Sequence, residues 1–162
     1  MSDNAASVWI AAIIFGALVT VLFIFGTKDC EAADNYMIFH SISKHSKSTE
    51  NGVPYNESNY SIGFEHNKGK HGYTAFAYKD SYNTYAKVIG GIYMPIQGTY
   101  GSLGILYGVV HSPSYMDGDI LPAALPRYEY KLKQFAVNVL FLPKFKKNGA
   151  YVFGMQFKYR VK

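Results

Sequence analysis

Polar and apolar positions in this chain alternate with a period of two over most of its length from residue 36 onward. Tyr60, Ile62 and Phe64 alternate with Ser61, Gly63 and Glu65, and Phe135, Val137, Val139 and Phe141 with Gln134, Ala136, Asn138 and Leu140. Near the end, Tyr151, Phe153, Met155, Phe157 and Tyr159 alternate with Val152, Gly154, Gln156, Lys158 and Arg160. Successive side chains of a strand leave on opposite faces, so each stretch has one oily face and one smaller or more polar face. No segment carries a helical period of useful length. Counting the alternating stretches between turn signals predicts eight strands, near 36–45, 59–67, 72–80, 83–95, 98–112, 119–130, 132–142 and 150–161. The breaks carry turn chemistry: Asn67-Lys68-Gly69-Lys70, Pro95-Ile96-Gln97-Gly98, Ser112-Pro113-Ser114 and Lys146-Lys147-Asn148-Gly149.

An even number of strands about ten residues long, with aromatic residues near their ends, is the pattern of a transmembrane β-barrel. Closure pairs every backbone N–H and C=O internally and leaves no edge in the lipid. A soluble lipid-binding barrel shares the period but turns the oily face inward, and alternation alone does not state which face points in. Positions 101 to 110 favour the membrane reading. One face reads Leu103, Ile105, Tyr107 and Val109, the other Ser102, Gly104, Leu106 and Gly108. The larger set fits a lipid-facing wall, and the smaller set leaves space in an interior that ordinary side chains nearly fill. Gly104 and Gly108 then have two readings: they line a narrow cavity for one hydrocarbon chain, or they relieve crowding and let the strand curve.

The barrel is expected over 34–162, with a separate hydrophobic segment over 1–33. Positions 8 to 25 form an unbroken apolar run in which Thr20 is the most polar residue. Its length suits a signal peptide cleaved near Ala32 or Ala33, or an uncleaved membrane anchor. No Lys or Arg precedes the run. The one cysteine, Cys30, excludes an internal disulfide and a Cys-rich metal site.

Composition supports the same class. There are 15 Tyr, 11 Phe and 15 Gly beside only 17% charged residues, which favours strands, tight turns and little surface facing plain water. The net charge of +5 is scattered and forms no compact basic patch with stacking aromatics. That disfavours nucleic acid as a partner and suits anionic lipid headgroups. Signatures of hydrolase elbows, zinc proteases, phosphate loops and dinucleotide folds are absent. His40, His45, His66, His71 and His111 show no metal-ligand spacing, so neither a metal nor another cofactor is expected.

Several short motifs remain, in a fixed order. Ile38-Phe39-His40 is followed by Pro54-Tyr55-Asn56-Glu57, then Tyr78-Lys79-Asp80-Ser81-Tyr82-Asn83 and Val88-Ile89-Gly90-Gly91. Leu121-Pro122-Ala123-Ala124-Leu125-Pro126, Phe141-Leu142-Pro143 and Met155-Gln156-Phe157-Lys158-Tyr159 complete the series. Over 36–159 this order resembles the lipid A palmitoyltransferase family. The resemblance implies an outer-membrane enzyme, acting as a monomer, that moves an acyl chain from a glycerophospholipid donor to lipid A. It implies essential His, Asp and Ser residues, carried by motif onto His40, Asp80 and Ser81, with His45 near enough to His40 for a small alignment shift to exchange them. It also implies lateral lipid access at Pro122 or Pro126 together with Pro143, which could equally be turn prolines.

The chemistry suits those residue types. Acyl transfer needs an activated hydroxyl, a base for its proton and stabilisation of the oxyanion. A histidine oriented by a carboxylate supplies the base. Ser81 either forms an acyl-enzyme or polarises the ester while the acceptor hydroxyl attacks. Taken alone, Asp80-Ser81-Tyr82-Asn83 also reads as a loop whose side chains hydrogen-bond their own backbone.

The chain departs from the family pattern at its unbasic start, at Arg160-Val161-Lys162 after the terminal aromatic Tyr159, and at Ile92. The glycine that floors the family's acyl cavity falls on Ile92, which predicts a shorter bore and an acyl chain shorter than palmitate. The competing expectation is a non-catalytic small outer-membrane barrel that serves adhesion or surface shielding.

Overall fold

The computed structural model describes residues 33–47, 49–50, 52–114, 118–143 and 150–161. The hydrophobic segment expected over 1–33 lies outside the described residues but for Ala33, as does the break expected at 146–149. The strands are β1 Asp34–His45, β2 Thr49–Glu50, β3 Val53–Pro54, β4 Ser58–Asn59, β5 Ser61–Lys68, β6 His71–Lys79, β7 Tyr85–Gln97, β8 Gly101–His111, β9 Ile120–Leu132, β10 Phe135–Leu142 and β11 Val152–Val161.

The large sheet runs β11-β10-β9-β8-β7-β6-β5-β1, with the two-residue β4 beside β1, and β11 pairs back onto β1. Eight long antiparallel strands therefore close a barrel, as the alternation predicts. The closing seam runs from Asn35↔Val161 to His45↔Val152. Short turns at 69–70, 98–100 and 133–134 join strands at one end, where Asp34 and Val161 also lie. The strand ends His45, Lys79, Tyr85, His111, Ile120, Leu142 and Val152 lie at the other end, where the connections span more residues of the sequence. This asymmetry of short turns and long loops is usual for transmembrane barrels.

Burial settles which face is inside. Ile62 is 69% exposed, and Ile89, Leu103, Phe135 and Phe153 also point outward, whereas Glu65, Asn138 and Lys158 are 0% exposed. A soluble barrel would reverse this, so the wall is built for lipid.

The bore is filled by a charged network and an apolar cluster. Toward the short-turn end Arg127 bonds Glu65 (2.9 and 2.6 Å) and Glu129 (2.9 Å), and Lys158 Nζ bridges the same two carboxylates. Asn138 extends this network to Gln156 at 2.9 Å. Two carboxylates balance two cations, so the buried charges are mutually compensated. Ile92, Met94 and Leu106 form an apolar cluster against Phe76 and Leu140. Nearer the long loops the inward positions shrink to Gly63, Gly90, Gly108, Ala123 and Gly154, all partly accessible.

Gly104 and Gly108 resolve toward the second of their two readings. A Cβ on Gly104 would sit 1.9 Å from Tyr93 O, and one on Gly108 would sit 2.2 Å from Ile89 O. Both glycines admit the backbone of β7, which carries a register shift between Tyr93 and Ile96.

Candidate functional site at the long-loop rim

The loop 80–84 between β6 and β7 is built around one carboxylate. Asp80 is 1% exposed. Its Oδ1 accepts the backbone N–H groups of Tyr82 and Thr84, both at 2.9 Å. Its Oδ2 accepts the hydroxyls of Thr84 and Ser112, both at 2.6 Å. Asp80 N donates to Thr84 O and Asn83 N to Asp80 O, with Asn83 in the left-handed region at φ 66°. The tight turn uses the tolerance of Asn for that conformation.

Ser81 is thereby fixed on the rim and meets His45, the last residue of β1. The Ser81 hydroxyl lies 2.8 Å from His45 Nε2 and donates to it when the ring proton is on Nδ1. The segment 55–60 braces this contact. Asn56 N donates to Ser81 O and Asn56 Nδ2 to Asp80 O, while Asn59 Nδ2 donates to Lys79 O. The Tyr55 ring stacks on His45 at 4.2 Å and meets Tyr82 edge-on. Glu57 Oε1 lies 3.8 Å from His45 Nδ1, and Glu57 Oε2 accepts from Lys44 Nζ at 2.7 Å.

This corrects the assignment of His40. From Tyr36 and Ile38, both buried, strict alternation sends His40 into the bore as well. A register shift between Ile38 and His40 reverses the parity. His40 then pairs with Phe157 and lies on the outer wall, against the rings of Tyr60 (5.5 Å) and Phe157 (6.2 Å). The same bulge turns Ser41, Ser43 and His45 inward, and Ser41 Oγ bonds Ser61 Oγ at 2.9 Å. Asp80 and Ser81 are brought together as expected. The Asp80 carboxylate, however, holds its own loop and contacts Ser112 rather than the imidazole. A loop whose side chains hydrogen-bond their own backbone is the reading Asp80-Ser81-Tyr82-Asn83 allows when taken alone.

Ile92 is fully buried at the centre of the apolar cluster. Along β7 it lies two residues from Gly90, and it pairs with Leu106 on β8.

The proline positions form one seam. The β8–β9 ladder is continuous from Gly101↔Tyr130 to His111↔Ile120, but the β9–β10 ladder stops at Arg127↔Leu140. Lys131 N donates to Tyr100 O on the β8 side. Alternation along an unshifted strand points the even-numbered positions of β9 at β10. Pro126 and Pro122 therefore stand where an N–H would face β10, and proline has none. Pro143 follows the last residue of β10 directly. The three prolines flank an unzipped stretch that runs up to the long-loop rim.

Sequence reasoning did not assign roles to Tyr55, Asn56, Glu57 and Asn59. The block Pro54-Tyr55-Asn56-Glu57 carried the signal, being polar residues fixed within an otherwise irregular connection.

No protein-family model matches the sequence, and no curated protein matches it. Among solved structures, the chain is similar to a transmembrane β-barrel obtained by de novo design, with a TM-score of 0.58 and 12% identity over 78% of this chain and 95% of that one. It is also similar to a designed barrel determined by solution NMR, with a TM-score of 0.57 and 12% identity over 83% of this chain and 99% of that one. At such identity the likeness concerns the fold: a small transmembrane β-barrel.

Proposed function

We propose that this barrel is an outer-membrane acyltransferase that moves an acyl chain from a glycerophospholipid to lipid A, with Ser81 and His45 as its reacting pair. The observation that carries this reading is the 2.8 Å contact between Ser81 Oγ and His45 Nε2 on the rim. A hydroxyl held against an imidazole is the minimal apparatus for acyl transfer. In the acyl-enzyme form, the Ser81 proton passes to His45 Nε2 as Oγ bonds to the ester carbonyl carbon. His45 returns that proton to the departing lysophospholipid oxygen. The acceptor hydroxyl then attacks the acyl carbon, His45 takes its proton, and Ser81 Oγ leaves and recovers it. In the direct form, the acceptor hydroxyl attacks the donor ester carbon while Ser81 polarises the carbonyl; His45 takes the acceptor proton and returns it to the lysophospholipid oxygen as that bond breaks.

Two further features support the reading. The stretch between β9 and β10 flanked by Pro122, Pro126 and Pro143 supplies a route for lipid from the membrane. The small inward residues Gly90 and Gly108, on the rim side of Ile92 and Leu106 along their strands, suit a single hydrocarbon tail. Ile92 lies five residues below Lys87 along β7. At about 3.4 Å per residue and a tilt near 40°, that corresponds to a depth of about 13 Å. Such a depth favours acyl chains shorter than palmitate.

The second reading is a non-catalytic small barrel. It is favoured by the extent to which Ile92, Met94, Leu106 and the charged network fill the bore, and by solved neighbours that share the fold alone. Mass spectrometry of lipid A from a Gram-negative strain expressing the full chain decides between them. Added acyl mass in wild type that is lost in Ser81→Ala and His45→Ala supports transfer. Unchanged lipid A in all three supports the non-catalytic barrel.

A further inference from the structure

If Asp80 is fully engaged by its own loop, the imidazole needs another carboxylate. We propose that Glu57, on the connection between β3 and β4, is the positioning residue for His45, holding the ring with its Nδ1 proton aimed away from Ser81. The inference rests on the acyl-transfer reading of Ser81 and His45 and adds the member that orients the base.

The geometry is specific. His45 Nδ1 is buried with no hydrogen-bond partner. With Nε2 accepting from Ser81, the proton of the neutral ring must sit on Nδ1, so a buried N–H is left unsatisfied. The nearest carboxylate oxygen is Glu57 Oε1, 3.8 Å away. A shift of about 1 Å would bring that pair to charge-assisted hydrogen-bond length, and catalytic hydrogen bonds are commonly long before substrate arrives. Glu57 is already anchored for the move. Its Oε1 accepts the backbone N–H of His45 at 3.2 Å, and its backbone O accepts Ser43 N at 2.9 Å. Tyr55, two residues earlier, stacks on the ring and sets its plane. The groups facing His45 are then Glu57, Tyr55 and Ser81, with Lys44 beside it on its own strand. The Lys44 ammonium holds the Glu57 carboxyl below the usual carboxylate range, so Glu57 is ionised at neutral pH. When His45 accepts the Ser81 proton it becomes an imidazolium, and a negative charge beside Nδ1 stabilises it.

The alternative is that Glu57 serves only as a surface partner for Lys44, whose side chain is 78% exposed. Such exposed pairs contribute little, which makes Lys44→Met a clean control. The test uses the full-length chain folded in detergent, with dilauroyl, dimyristoyl and dipalmitoyl glycerophospholipids as donors, each variant compared with wild type on the best of them, and lipid A as acceptor. Heat-modifiable gel migration checks that each variant folds. Glu57→Gln keeps the size and the acceptor for His45 N but removes the charge. It is expected to lower kcat about 100-fold with KM within twofold, and to move the acid limb of the pH–rate profile to lower pH. Glu57→Asp should recover part of the loss, and Lys44→Met should stay within about threefold of wild type. The wild-type protein gives an independent readout, since ¹⁵N NMR of His45 at neutral pH should report the Nδ1–H tautomer.

Three results would overturn the proposal: Glu57→Gln within threefold of wild type with an unmoved profile, Lys44→Met reproducing the loss, or an Nε2–H tautomer. If wild type and Ser81→Ala are equally inert, the acyl-transfer reading fails and takes this inference with it. An active wild type with an insensitive Glu57→Gln sinks this inference alone.

Discussion

Arg127 on β9 reaches across the bore and lays both terminal guanidinium nitrogens on the carboxylate of Glu65 on β5, at 2.9 and 2.6 Å. The two residues lie 62 positions apart in sequence and are both fully buried. With Glu129 and Lys158 they form a crossbeam between opposite walls. Replacing Glu65 by Gln leaves Arg127 and Lys158 sharing one carboxylate, and an uncompensated buried charge costs about 3–5 kcal/mol. Urea unfolding in detergent, followed by gel migration or tryptophan-independent circular dichroism, should show that loss. A midpoint unchanged from wild type would contradict the crossbeam.

The two histidines of β1 are separable by mutation. His45→Ala and Ser81→Ala should each reduce acyl transfer by about 10²–10⁴-fold. His40→Ala trims a ring from the outer wall and should leave the rate within a few-fold of wild type. Lipid A mass spectra of the three variants check this, and a dead His40→Ala beside an active His45→Ala would reverse the assignment.

Ile92 is buried in the bore, where the proposed function has it limit the acyl chain. Ile92→Ala should deepen the space and shift the transferred acyl chain toward greater length, read as a mass increment on lipid A. The emptied volume should also lower stability by about 2–5 kcal/mol. A stability loss with an unchanged chain-length profile would remove Ile92 from selectivity while leaving its packing role intact.

Pro126 keeps β9 and β10 apart. Pro126→Val restores an N–H facing β10 and should extend the ladder past Arg127↔Leu140. Transfer from membrane-embedded phospholipid should fall several-fold, while Ser81 should stay reactive toward a water-soluble acylating reagent. An equal fall in both reactions would place the effect at the site rather than along the seam.

Much of this molecule is written in local alternation. The stretches near 59–67, 72–80, 119–130 and 150–161 correspond to β5, β6, β9 and β11 with no end moved by more than two residues, because each strand presents one face to lipid and one to the bore. The outward direction of Leu103 and Val109, and the inward direction of Ser102 and Leu106, also follow from that pattern. What alternation could not carry was a change of phase. One bulge after Ile38 exchanges His40 for His45, and nothing in Met37-Ile38-Phe39-His40 marks it. The four-charge cluster was hidden for a different reason. Glu65, Arg127, Glu129 and Lys158 each sit on the polar side of their own strand, and only closure of the barrel brings them together. The 55–60 connection, with β4 within it, has no period at all, so the carboxylate nearest His45 left only its membership of a short polar block.

The crossbeam and the aliphatic cluster have a consequence for permeability. With Arg127, Glu65, Lys158 and Glu129 locked together across the bore, and Ile92, Met94 and Leu106 packed inside it as well, the barrel resembles a plugged vessel rather than a pipe. Reconstituted into a planar bilayer it should be electrically silent, so a cell could carry many copies without leaking ions or nutrients.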